Sequence, residues 1–242
     1  MPSEDITQRT HTPAKGVDSS SDDPVADDAA VLRKDGDAAW RDGDGERAIA
    51  CWHAAAEKGD AAAAFALGVI FDEGQFVARD AAMAVHWLAQ AAGKGHPEAA
   101  FNLAVLLAEG DGVARDANAA VYWWHQAAHT GMAAAMFYLG LAFDRGDGVP
   151  QDGGQAAQWY LAAAEAGEGR GAANLARLFA YGEGVERSDV SAFKWYAIAA
   201  EMGVAEAARY RERVARELSP SERLRAGDLA QRWLHEHGLA RV

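Results

Sequence analysis

The chain has 242 residues with a formal charge of −13, and its 50% hydrophobic content is rich in alanine, the composition of tightly packed helices rather than of a membrane span. That charge argues against a phosphate backbone as partner and against binding to an anionic membrane surface. No apolar run approaches the length needed to cross a bilayer, and the single cysteine, Cys51, cannot make an internal disulfide, so a reducing, cytoplasmic setting is expected.

In chain order, the start MPSEDITQRTHTPAKG lacks the apolar stretch of a secretory signal. Residues 1–28, densest at DSSSDDPVADD, are too polar to repay their ordering entropy and are expected to form a disordered acidic leader. Residues 29–59 predict a short capping helix pair joined at Asp42-Gly43-Asp44-Gly45, with Trp40 and Trp52 packing it onto the first full unit. That acidic loop lacks the later ligands and the closing Glu of a calcium loop.

From residue 60 to 203 one 36-residue unit recurs four times, at 60–95, 96–131, 132–167 and 168–203. Trp87, Trp123, Trp159 and Trp195 form one series; Gly95, Gly131, Gly167 and Gly203 form another. Fixed-period self-similarity is the signature of a stacked-repeat protein. Each unit predicts two helices. The first has apolar residues on helical spacing, as at Ala100, Leu103 and Leu107, and stops at Gly110-Asp111-Gly112 or its equivalents. Val77, Val113, Val149 and Val185 then plug the loop, and Asp80, Asp116, Asp152 and Ser188 offer side-chain oxygens to cap the second helix. Small alanines in the second helix let the pair approach, and the Trp series is expected to fill the space between them.

Residues 204–242 predict C-terminal capping helices. VAEAARYRERVARELS begins as another first helix with Arg211 in place of the usual Leu, and Ser219-Pro220-Ser221-Glu222 reads as a capping box. This end holds eight Arg against six acidic residues, so it is mildly basic on an acidic chain.

The pattern A-x-x-x-L-G/A-x-x-F/L, G-x-G-V, D, A-x-x-W, A-A-x-x-G resembles the Sel-one-like repeat, a longer-loop relative of the tetratricopeptide repeat; the first pair resembles the tetratricopeptide form itself. The resemblance implies an all-α, right-handed superhelical solenoid of antiparallel helix pairs, with the first helices on its concave surface. It also implies a non-enzymatic scaffold that binds another protein or peptide. Secreted relatives carry paired cysteines, absent here. A small-molecule hydrolase of the kind suggested for such relatives, and a self-association module built on the C-terminal helix, are the other readings. An excess of Arg over Lys (18 to 5) points to a GC-rich bacterial genome.

No Ser or Cys sits in a nucleophile elbow and no cofactor motif is present, so neither catalytic residues nor a cofactor are assigned. His125 and His129 are spaced i, i+4, but Gln126 stands where a zinc protease has Glu, and no third ligand is evident. The candidate site is the concave face, a groove for a peptide or partner helix. Its residues are Phe65 and Val69; Phe101, Asn102, Val105 and Glu109; Phe137, Tyr138, Leu141 and Arg145; and Asn174, Arg177 and Tyr181. Phe65, Phe101 and Phe137 can equally fill seams between units. Acidic residues are expected along the early rim, with Arg145, Arg170 and Arg177 reversing the sign toward the last units.

Overall fold

The computed structural model describes residues 24–240. Among them are twelve helices and no strand: α1 (Pro24–Arg41), α2 (Gly45–Glu57), α3 (Ala61–Glu73), α4 (Ala81–Gly93), α5 (Pro97–Glu109), α6 (Ala117–His129), α7 (Ala133–Arg145), α8 (Gly153–Glu165), α9 (Gly169–Tyr181), α10 (Asp189–Glu201), α11 (Ala207–Ala215) and α12 (Pro220–Glu236). The result is an all-α solenoid of helix pairs, each helix packing on the next in sequence from α1 to α11, with α12 returning onto α10. First helices of successive units also touch, α3 with α5 and α7 with α9, which sets them on the inner side of the curve. Residues 1–23, most of the expected leader, lie outside the described residues. Residues 24–28, assigned to that leader by composition, belong to α1 instead: Pro followed by an acidic first turn is helix-start chemistry.

The helix ends follow from a few residues each. Asp80, Asp116, Asp152 and Ser188 accept from backbone N–H groups of the helix they start, as do Asp44 and Asp60. First helices α3, α5, α7 and α9 stop on left-handed glycines, Gly74, Gly110, Gly146 and Gly182. Ser219 and Glu222 close the expected capping box on α12. One loop departs from the pattern. Phe76 stands where later units have Gly112, Gly148 and Gly184, yet it keeps their positive φ, at 62°. Its ring packs edge-on to Trp40 at 5.2 Å and covers Gly45, contacts that offset the strain of a left-handed non-glycine residue.

The core corrects the role given to the tryptophan series. Trp87 and Trp195 are buried in the core as expected, but Trp123 and Trp159 are only half-buried, and the series lies along contacts between second helices: His53 meets Trp87, His125 meets Trp159, and Trp195 meets Trp233. The residue one step later fills the space within and between pairs. Trp52, Leu88, Trp124, Tyr160 and Tyr196 are all buried. They face small residues on the first helices; a Cβ on Gly36, Gly68 or Gly140 would lie 2.5–2.7 Å from Trp52, Leu88 or Tyr160 respectively. Cys51, at the Trp position of the first unit, is half-buried rather than enclosed. Buried residues form two clusters that meet at α7, where Met136 and Tyr138 pack against both.

Candidate functional site

The inner face carries three adjoining recesses. The first, about 170 Å³, is lined by Val105, Glu109, Trp124, Tyr138, Leu141 and Arg145 among others. It shares Leu141 and Arg145 with a larger cleft of about 690 Å³, which continues to Asn174, Arg177 and the loops at Gly153 and Gly184. That cleft in turn shares Asn174 and Arg177 with a third recess of about 470 Å³ between α9 and α11, walled by Tyr181, Tyr196, Tyr210 and Arg213. The recesses therefore follow one another side by side from α5 to α11.

The helical period accounts for this convergence. Positions 69, 105, 141 and 177 share one register, as do 102, 138 and 174, so stacked units place them in columns along the inner helices. Extending both columns by one more unit gives Arg213 and Tyr210, on α11. Sequence reasoning stopped the columns at the fourth full unit and missed these two; the 36-residue step was the signal that could have found them.

Not every predicted residue joins the groove. Phe65, Val69, Phe101 and Asn102 line none of the three recesses. Phe65 stacks on His96 at 4.5 Å and Phe101 meets Tyr138 at 5.6 Å, both contacts with the following unit. Phe137 is buried, with the Arg170 guanidinium 4.4 Å above its ring, so it forms the floor of the third recess and not an open anchor. The phenylalanines thus serve the seams, because each first helix presents that position to its successor.

Charges are redistributed in the same way. Arg177, expected to reverse the sign of the groove toward the last units, bridges Asp144 and Glu183. Arg170 binds Glu168 at 2.8 Å, and that contact holds the Glu168 carboxyl below its usual range. Asp144, expected together with Glu73 and Glu109 to make the rim acidic, is tied inward instead, because it also accepts from the Tyr160 hydroxyl at 3.1 Å. Burial first, and the Asp144 charge second, push the Tyr160 phenol well above its usual range, so it stays protonated as a donor. Asn174 spends one amide hydrogen on the Arg170 carbonyl oxygen, at 3.0 Å. Tyr181 stays open, 57% exposed, accepting from Arg213 at 3.0 Å.

A further set of polar contacts ties neighbouring loops together. Arg79 and Arg115 donate to the last carbonyls of their own first helices, and reach the loop of the next unit at Asp111 (2.9 Å) and Asp147 (2.6 Å). The indole N–H of Trp124, in the wall of the smallest recess, has no protein acceptor. His129 Nδ1 lies 2.6 Å from the His125 carbonyl oxygen, which occupies one ring nitrogen within the helix. Among the described residues no three His, Cys, Asp or Glu side chains gather as a metal site, and no helix is long and apolar enough to cross a membrane.

A curved stack of helix pairs with a groove along its inner helices defines an α-solenoid repeat protein. Five copies of the Sel1 repeat match the chain, at residues 34–60, 61–96, 97–131, 133–168 and 169–204, and the chain belongs to the Sel1 repeat family. The first match overlaps the short first pair, which the sequence set apart as a cap, taking in α2 and the second half of α1. Among solved structures, a Sel1 repeat protein from Oxalobacter formigenes is similar, with 27% identity, 88% of this chain and 91% of that chain covered, and a TM-score of 0.65. Similar too is c5321, a protective antigen of uropathogenic Escherichia coli displaying an SLR fold (26% identity, 88% of this chain and 55% of that one, TM-score 0.53). No curated relative matches at a significant level. Repeats of this family generally mediate protein–protein interactions and are typically non-catalytic.

Proposed function

We propose that the chain is a non-enzymatic scaffold of the bacterial cytoplasm, binding a peptide or a partner helix of another protein along its inner face. The observation that supports this most is the row of adjoining recesses: three of them share lining residues from Val105 on α5 to Arg213 on α11. Apolar side chains at Val105 and Leu141 and the ring of Tyr138 supply surface to bury, and Glu109 and Arg145 supply polar groups beside it. Such a mixture of apolar floor and few oriented polar groups suits an extended segment or one face of a helix. The single, half-buried cysteine fits a reducing compartment.

Affinity capture from cell extract with the full chain tests the reading. Leu141→Asp and Tyr138→Ala should abolish capture of the bound protein, since a central anchor typically contributes about 2 kcal/mol or more. Tyr122→Ala, on an exposed position of α6, should leave it unchanged. Far-UV circular dichroism verifies that each variant is folded. Loss of capture on Tyr122→Ala alone would place the surface on the second helices and reject the groove.

A further inference from the structure

We propose that the recess between α9 and α11 is built for an acidic segment of the partner, one whose carboxylates lie beside an aromatic or leucine-sized side chain. This rests on the groove reading and deepens it by naming what the partner must carry where it meets the α11 end of the array. The cations come first. Within the units, Arg33, Arg79, Arg115, Arg170, Arg177 and Arg187 each meet a carboxylate, while Arg41, Arg47 and Arg145 stand singly without one among the described residues. On α11 and its C-cap, Arg209, Arg213 and Arg216 are exposed, and none has a carboxylate partner among the described residues, although the chain is rich in acids. Their spacing of four and three puts them on one face of the helix, about 5–6 Å apart at Cβ. Glu206 and Glu212 are the acidic residues among the recess linings contributed by this part of the chain.

Arg213 is held ready rather than neutralised. Its guanidinium donates to the Tyr181 hydroxyl at 3.0 Å and lies 5.1 Å from the centre of the Tyr210 ring. Both partners are uncharged, so they orient the fork and leave its charge for a bidentate carboxylate. Tyr210 stacks on Tyr196 at 5.5 Å, giving a firm aromatic wall beside the cation. The recess of about 470 Å³ has room for one large side chain and its backbone. A second hollow of about 350 Å³ shares Tyr210 and Arg213 and extends to Arg209 and Arg216. An anchor in the first hollow therefore leaves neighbouring carboxylates of the same segment facing the arginines.

The overall charge of −13 does not oppose this, because interactions between exposed charges fade beyond about 8–10 Å at physiological salt. A segment with two or three carboxylates senses mainly α11, whereas a long polyanion would continue onto the acidic units.

The test is a random dodecapeptide display library panned on the full chain, with enriched sequences made as fluorescein-labelled peptides and titrated by anisotropy. Enriched peptides should carry two or more Asp or Glu next to an aromatic residue or Leu. Arg213→Glu should weaken them by about tenfold or more, Arg213→Lys should keep only part of the affinity because an ammonium holds the charge but not the bidentate fork, and raising NaCl from about 50 to about 300 mM should weaken the native chain but not the Glu variant. Enrichment of neutral or basic peptides, no enrichment, or affinity indifferent to Arg213→Glu would overturn the proposal. So would an Arg213-dependent single-stranded oligonucleotide binding more tightly than any peptide. Peptides indifferent to Arg213→Glu but lost on Leu141→Asp would reject the acidic specificity while leaving the groove standing; indifference to both would reject the two together.

Discussion

Replacing Trp124 by Ala separates two arrangements that differ by one residue. Trp124 is 7% exposed and stacks on Tyr138 at 5.1 Å with ring planes 20° apart, so it joins α6 to α7 where the two core clusters meet. A buried indole removes about 150–250 Å² from water, which at about 25 cal/mol per Å² corresponds to about 4–6 kcal/mol as an upper figure. Its N–H has no protein acceptor, so truncation forfeits no hydrogen bond and the loss is transfer plus cavity, about 3–5 kcal/mol. Trp123 is half-buried, and its truncation should cost only about 1–2 kcal/mol. Urea unfolding followed by far-UV circular dichroism is the suitable assay, because the chain's 8 tryptophans blur any fluorescence change. The Trp124→Ala transition should also broaden, since a lesion between neighbouring units weakens the coupling that makes a repeat array unfold together. If Trp123→Ala costs as much as Trp124→Ala, the assignment of Trp124 rather than Trp123 to the core is wrong.

Gly140→Ala should lower the melting temperature, because the new Cβ would lie 2.5 Å from the Tyr160 ring; Gly227→Ala, with nothing within 4 Å, should raise stability by about 0.5–1 kcal/mol. Ser219→Ala, which removes one half of the α12 capping box, should cost about 1 kcal/mol in the same urea assay, and no loss would show that the box is dispensable. Burial, and then the charge of His129, hold the His125 pKa below the ordinary 6.5. The unfolded chain therefore binds that proton more readily, so the stability this neutral imidazole contributes is present above pH 6.5 and is lost as pH falls toward its folded value. His125→Gln should flatten the decline of melting temperature below pH 6.5, and an unchanged slope would assign that decline to other groups.

Much of the fold was legible because its instructions are local. A cap such as Asp116 acts on an N–H three residues away, and a stop such as Gly110 depends on its own backbone angles, so the order of first and second helices could be read from spacing alone. The groove was legible only as a register: Tyr138, Leu141, Arg145 and Tyr181 fall where the 36-residue step puts them. The step also reaches Tyr210 and Arg213, but Arg211 in place of the usual Leu disguised α11 as a mere end piece.

The sequence by itself determined the repeat, the helix ends within the full units and the columns, since each follows from chemistry within a few residues or from a constant period. Tertiary structure alone decided which of the adjacent residues Trp123 and Trp124 enters the core, because neighbouring positions differ by about 100° around a helix and the next helix selects between them. It alone paired Arg177 with Asp144, 33 residues away, and laid Arg170 over Phe137, turning expected binding groups into seam and floor. Those contacts join different units, and no pattern within one unit specifies what its neighbour will offer. The cations left without carboxylates are for the same reason visible only once every unit has taken its partners.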